Sequence, residues 1–227
     1  MTPPTIDKII RTRRRTIAIY IHPDGKVIVR APHKTPEHLI RQFVQTKAAW
    51  IARQKARAAQ KPVTPAKSYQ GGEKFPLLGQ NYPLRIIQSP KTALTFQDEF
   101  LLPQKAQPRA RQAFETWYKT RARQLFQERV THYAQKFGLQ YQKIRISSAR
   151  TRWGSCSTRG VLSFTWRLIM APIEIIDYVI IHELAHLRVP NHSQKFWAEV
   201  ARMLPDYQPR LNWLRQNGHT LTLDGDQ

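Results

Sequence analysis

Two histidines four residues apart, with a glutamate beside the first, form the chemically loaded stretch of this 227-residue chain: His182-Glu183-Leu184-Ala185-His186. On a helix, side chains four apart share one face, so both imidazoles can reach one ion. Tetrahedral zinc takes such nitrogens at about 2.0–2.1 Å. Glu183 lies about 100° round the helix from His182. That offset disfavours it as a ligand and suits a general base acting on water at the metal. A hydrolytic site also needs a third ligand and an open position. His192 is the candidate, which gives the pattern H-E-x-x-H-x5-H. The chain has 8 histidines, and a chance H-E-x-x-H has a probability on the order of 0.01. His22, His33, His38, His132 and His219 show no ligand spacing.

The motif needs a helix, and the flanking residues predict one. Ile173, Ile176, Val179, Ile180, Leu184 and Leu187 recur at helical spacing after Pro172. Pro190-Asn191 is expected to end that helix and let the chain bring His192 back. Further helices are expected around Phe196, Trp197, Val200 and Leu204, and from Tyr207 to near Asn217-Gly218. Upstream, a helix from Pro108 to Phe137 ends at Gly138. Strands are expected at Lys143 to Ile146 and Gly160 to Thr165, joined by a Gly-containing turn, Thr151 to Cys156. The strand from Leu162 to Thr165 is either an edge that holds an extended peptide or an ordinary buried strand.

Residues 69–102 read as short strands. Arg15 to Arg30 reads as a hairpin turning at Pro23-Asp24-Gly25. A helix capped by Thr35 and opened by Pro36 runs to about Gln60, and Lys61 to Pro65 is a linker. The fold class is α+β: an N-terminal β-rich region followed by a mainly helical core with a small sheet. The division falls at 1–105 and 106–222, unless the chain is one continuous domain.

The chain carries 37 Lys and Arg against 15 Asp and Glu, a net charge of +22. Residues 1–61 hold 14 basic and 3 acidic side chains, net +11, and residues 106–150 hold 10 and 2, net +8. Residues 151–227, with the histidine motif, hold 8 and 7, net +1. This distribution points to DNA or RNA as a partner through 1–61 and 106–150, with the chemistry kept apart. The run Arg11-Thr12-Arg13-Arg14-Arg15 reads either as phosphate contacts or as a solvated lead-in to a strand. A hydrophobic content of 41% excludes a disordered polycation. The single Cys156 excludes a disulfide framework; it reads as a packed small side chain in a reducing, cytoplasmic setting. No secretory or membrane segment is expected, because the apolar stretch Ile173 to Leu187 is broken by Glu174, Asp177 and Glu183.

His182 to Leu187, Asn191-His192-Ser193 and Phe196-Trp197, preceded by Arg152-Trp153-Gly154-Ser155-Cys156 and Trp166-Arg167-Leu168, carry a resemblance. Together they resemble the YgjP-like metallopeptidase family, the domain of unknown function 45, which is similar to the SprT and WLM zinc proteases. The resemblance implies a zincin-like core, a zinc site of His182, His186 and His192, and a catalytic Glu183. A metzincin has Gly three residues after the second histidine; here that residue is Val189. Thr165 stands where the family favours Asn, away from the metal ligands.

The implied activity is zinc-dependent hydrolysis of a protein or peptide substrate by water that Glu183 activates. Two alternatives stay open: a metal-dependent phosphohydrolase acting on nucleotides, and a nucleic-acid-binding protein with a structural zinc. A structural site needs no base beside its ligands, and the chain has no P-loop. Tyr178, Arg152 and Tyr207 are candidates to stabilise an oxyanion. Trp153, Trp166 and Trp197 read as core or as the wall of a cleft.

Overall fold

The computed structural model describes residues 4–22, 24–59 and 65–224. Near the N-terminus it has three strands: β1 (Lys8–Thr12), β2 (Ala18–Ile21) and β3 (Val27–Pro32). Strands β2 and β3 form the expected hairpin, with Ile19 opposite Val29 and Ile21 opposite Val27. Gly25 takes φ 83° in its turn; Pro23 lies outside the described residues. Strand β1 was not expected as an element. It pairs parallel with β3 on the other side, so the sheet order is β1-β3-β2.

The expected single helix over 36–60 is two, α1 (Glu37–Thr46) and α2 (Ala48–Ala59). The break follows Thr46, whose hydroxyl donates to the Phe43 carbonyl at 2.7 Å. Such a back-bond competes with the helix ladder. Thr35 is not the cap: Pro36 holds that position, with no side-chain capping bond. Val27, Val29 and Ala31 bury their side chains against Ile40, Val44 and Ile51. The expected linker at 61–65 lies almost wholly outside the described residues.

Four strands follow: β4 (Lys74–Leu77), β5 (Gln80–Ile87), β6 (Thr95–Phe96) and β7 (Phe100–Pro103), in the order β4-β5-β7-β6. Leu78 and Gly79 join β4 to β5 with φ of 50° and 81°, both positive as a tight hairpin turn demands. The long helix α3 (Ala110–Phe137) ends at Gly138 in the left-handed conformation, as expected. Its Phe114 stacks on Phe75 of β4 at 4.0 Å between centroids. Its Tyr118 hydroxyl donates to the Pro76 carbonyl at 2.7 Å.

The chain divides into two compact units, residues 1–66 with 224–227 and residues 67–223. The boundary expected at 105 does not coincide with this division. The physical reason is the shared core: Phe75, Leu84, Phe100 and Leu102 belong to the same buried cluster as Phe114, Phe164 and Ile180.

The small sheet has β8 (Lys143–Ser147), β9 (Gly154–Cys156) and β10 (Val161–Thr165) in the order β8-β10-β9. The expected turn at 151–156 therefore ends in a strand. Gly-Ser-Cys is too short to show alternation. Strand β10 is central, parallel to β8 and antiparallel to β9, so Leu162 to Thr165 is not an edge.

Three helices complete the chain: α4 (Ile173–Ala185), α5 (Gln194–Met203) and α6 (Tyr207–Asn217). Helix α4 is buried nearly all round, including Ile176, Ile180 and Leu184. One polar group inside it, Asp177, is 6% exposed. Asp177 accepts from Arg129 of α3 at 2.7 and 2.5 Å and from the Tyr133 hydroxyl at 2.9 Å. The helix ends earlier than Pro190-Asn191. Leu187 N–H bonds Leu184 O and Arg188 N–H bonds Ala185 O, each at 3.0 Å, which tightens the last turn to a 3-10 pattern. The order of elements is α+β as expected. Among the described residues no helix is long and apolar enough to cross a membrane.

Candidate metal centre

His182 sits in the last turn of α4, and His186 caps it with helical backbone angles, φ −64° and ψ −18°. The four-residue spacing therefore survives the early end of the helix, and both imidazoles emerge on one face. The carbonyl end of a helix carries partial negative charge, which favours a cation there. The segment after it turns through Pro190 and returns His192. The Asn191 side chain accepts from Ser193 N–H at 3.2 Å and fixes that turn. Arg188 braces the segment, donating to Phe137 O and to Glu199 of α5, both at 2.7 Å.

The three histidines each offer one ligand atom, and these atoms lie within 4.8 Å of one another. His182 Nε2 and His192 Nε2 face each other at 3.1 Å. Zinc bonds of about 2.0–2.1 Å at tetrahedral angles put neighbouring ligand nitrogens about 3.3 Å apart, so the donor set fits one tetrahedral ion. His186 Nδ1 lies 3.1 Å from the Val189 carbonyl. A proton on Nδ1 satisfies that bond and leaves Nε2 with its lone pair free for a metal. His182 Nδ1 is buried without a partner among the described residues.

Burial, and then the other two imidazoles, push the His182 pKa down to about 3, and burial pushes His186 down as well. Burial thus favours the neutral form of both rings, the form that binds metal. Phe196, fully buried, packs against all three rings, with centroids at 4.9 Å from His182, 4.3 Å from His186 and 4.8 Å from His192. Trp197 lies 5.8 Å from His182 and stacks on Tyr207. A three-histidine cluster of this kind can hold a metal ion.

Glu183 is 5% exposed, and burial raises its pKa to about 8; Arg152 acts in the opposite direction. Its carboxyl is held by a contact that the motif alone does not reveal. A Cβ at Gly154, on β9, would stand 2.5 Å from Glu183 Oε1 and 2.6 Å from its Cγ. The missing side chain of Gly154 is therefore the space that Glu183 occupies. Cys156, at the far end of β9, is half-buried, and burial, with the Glu183 charge behind it, raises its thiol pKa. It lines a cleft of about 320 Å³ beside His186, with Ser157, Thr158, Leu187 and Pro190.

The three histidines thus come together, and Glu183 lies next to His182 on the same helix. Of the oxyanion candidates, Tyr178 is buried one turn before His182, its ring 6.0 Å away, with a phenol that burial pushes up to about 12. Tyr207 is stacked behind Trp197, and Arg152 is exposed. Trp166 is buried core, whereas Trp197 packs beside the histidines. The contacts of Gly154 and Phe196 are not legible in the motif. The only signals were the Trp-Gly pair before a short polar run and an aromatic residue four positions after His192.

A family model described as YgjP-like, metallopeptidase domain, matches residues 15–217. The crystal structure of the metallopeptidase zymogen of Pyrococcus abyssi abylysin is similar at 25% identity and a TM-score of 0.36, over 41% of this chain and 92% of that one. No curated protein matches the chain. The family match spans most of the chain, including the three histidines, Glu183 and Gly154, and this chain belongs to the YgjP-like metallopeptidase domain family.

Proposed function

We propose that the chain is a zinc-dependent metallopeptidase in which His182, His186 and His192 hold the metal and Glu183 is the general base. The observation that carries this reading is the convergence of three imidazoles within 4.8 Å beside a buried carboxyl. Zinc held there supplies a Lewis acid for the scissile carbonyl and makes water more acidic. The Glu183 carboxylate accepts a proton from the attacking water on one Oε and returns it to the leaving nitrogen. The products are a free carboxylate and an amine. Phe196 and the Arg188–Glu199 pair keep the three rings converged, and Gly154 keeps Glu183 beside them. A buried carboxyl with no cationic partner in hydrogen-bond contact is costly, which argues against a purely structural zinc.

The basic regions 1–61 and 106–150 fit recruitment to nucleic acid or another anionic target, and the lone Cys156 fits a reducing, cytoplasmic setting. A second reading has one observation in its favour: the cation that acts on Glu183 is exposed Arg152, well suited to an anionic substrate such as a nucleotide phosphate. One screen tests both. Purified protein with about one zinc per chain is offered unfolded protein, short peptides and nucleoside triphosphates. Cleavage of peptide bonds that Glu183→Gln abolishes supports the peptidase. Cleavage of the triphosphates alone replaces it with the phosphohydrolase.

A further inference from the structure

The N-terminal sheet has two unlike faces. One, with Val27, Val29, Ala31 and Ile19, is packed beneath α1 and α2. Strand register assigns the other. Tyr20, Ile28 and Lys8 stand in one cross-strand row, and Ala18, Arg30 and Ile10 in the next. Tyr20 is 43% exposed, unusually so for an aromatic residue on a strand. The Arg30 guanidinium lies over its ring at 4.9 Å, and both Arg30 and Lys8 are exposed. Arg14 beside the phenol, and then Arg30, lower the Tyr20 pKa. The Arg14 Nε is shielded from solvent and has no acceptor among the described residues. An exposed aromatic ring with a guanidinium over one face and a second beside its hydroxyl matches the way proteins hold unpaired bases while cations follow the phosphates. Adjacent strands lie about 4.8 Å apart, so Lys8 stands about 10 Å across the sheet from Tyr20. That separation lets the chain of phosphates cross the strands while one base rests on the ring.

We propose that the outer face of the sheet β1-β3-β2 binds single-stranded nucleic acid, with a base stacked on Tyr20 and the flanking phosphates held by Arg14, Arg30 and Lys8. Charge complementarity favours this occupant. Residues 1–61 carry 14 basic side chains. Of their 3 acidic ones, Asp24 is paired with Lys26, Glu37 is paired with Arg41, and Asp7 accepts from Val27 N–H. An exposed ring also separates a base-bearing polymer from a polyanion that offers sulfate or phosphate alone. The proposal deepens the recruitment part of the function above and rests on it, while remaining independent of the hydrolytic chemistry.

The test is fluorescence anisotropy of the full chain with labelled 12-residue oligothymidine and oligouridine, and with a heparin fragment as the base-free polyanion. Tyr20→Ala should weaken oligonucleotide binding by about 10-fold or more, the size of one lost stacking contact. Heparin binding should be unchanged and Tyr20→Phe should bind as the parent does. Arg30→Gln should lower the salt slope by about 0.7, one phosphate contact on a single strand. Cleavage of a short free peptide should be the same in all variants. Tyr20→Ala binding as tightly as the parent would overturn the surface and leave recruitment standing. A parent chain that binds neither oligonucleotide would overturn both. Equal losses for heparin and oligonucleotide in Tyr20→Ala would reduce the face to a nonspecific anion patch and overturn the stacking.

Discussion

The two units put their residues to opposite use. Residues 67–223 place a long aromatic and aliphatic core behind three imidazoles and one carboxyl. Residues 1–66 bury, among the described residues, six hydrophobic side chains between a thin sheet and two helices, and present long cations outward. Hydrolytic chemistry needs atoms held to fractions of an ångström, and His182 and Glu183 sit on a helix buried on nearly every side. Polyanion contact needs charge and reach, which exposed Arg and Lys supply without a deep core. The contrast separates the most charged part of the chain from the part that holds the three histidines and Glu183.

The contrast can be broken or sharpened by substitution. The largest effect should come from Glu183→Gln, which should lower peptide hydrolysis by about 10²- to 10⁴-fold, the usual worth of a general base. Metal analysis should find zinc retained; unchanged turnover would take Glu183 out of its role. Asp177→Ala leaves Arg129 without its buried partner and should cost about 3–5 kcal/mol of stability, read by denaturant unfolding. Gly154→Ala should lower hydrolysis by about 10²-fold, since a displacement near 1 Å at a reacting group costs that much. In a Glu183→Gln background the same alanine should have little further effect. Two independent losses would show that Gly154 acts elsewhere.

Ile40→Val, a buried methyl group fewer, should cost about 1 kcal/mol. It should speed amide hydrogen exchange at Val29 and leave Ile180 unchanged. Equal acceleration at both would mean that the units unfold as one.

The smallest effect is on pH. Hydrogen bonds and charge from Arg202, then Arg188, hold the Glu199 pKa down to about 2. In an unfolded chain it would be about 4.3. A depressed carboxyl contributes stability that is fully present above the unfolded value and is lost as pH falls toward 2. Both arginines are substantially exposed, so the contribution should stay below about 1 kcal/mol. Melting temperatures between pH 5 and 2 should fall less steeply in Glu199→Gln than in the parent.

What could be read in advance followed physical range. Helix α4 and its four-residue histidine spacing were legible because periodicity and motif are local. So were the β2–β3 hairpin and the Gly138 cap. The early end of α4 was not, because backbone bonds tighten its last turn before Pro190 is reached. Strand β1 escaped because its partner lies 20 residues ahead in a parallel pairing, and arginines mask its isoleucines. Pattern alone left Leu162 to Thr165 open between an edge and a buried strand, because the partner that makes it central, β9, has too few positions to alternate. The role of Gly154 depends on a contact 29 residues away, where nothing but space marks it.

The turn at Leu78 and Gly79 sets the smallest portable piece of this protein. Its two N–H groups bond the carbonyls of Ile169 and Met170, at 2.9 and 3.0 Å. A Cβ on Gly79 would strike Pro172, the residue that opens the histidine helix, at 2.8 Å. The helix is thus keyed at its start to a hairpin nearly a hundred positions upstream. A fragment cut at residue 106 would keep all three histidines and Glu183 and still strip the helix of that key, along with Phe75 and Phe100 from its core. A transplantable version of the site begins at residue 67.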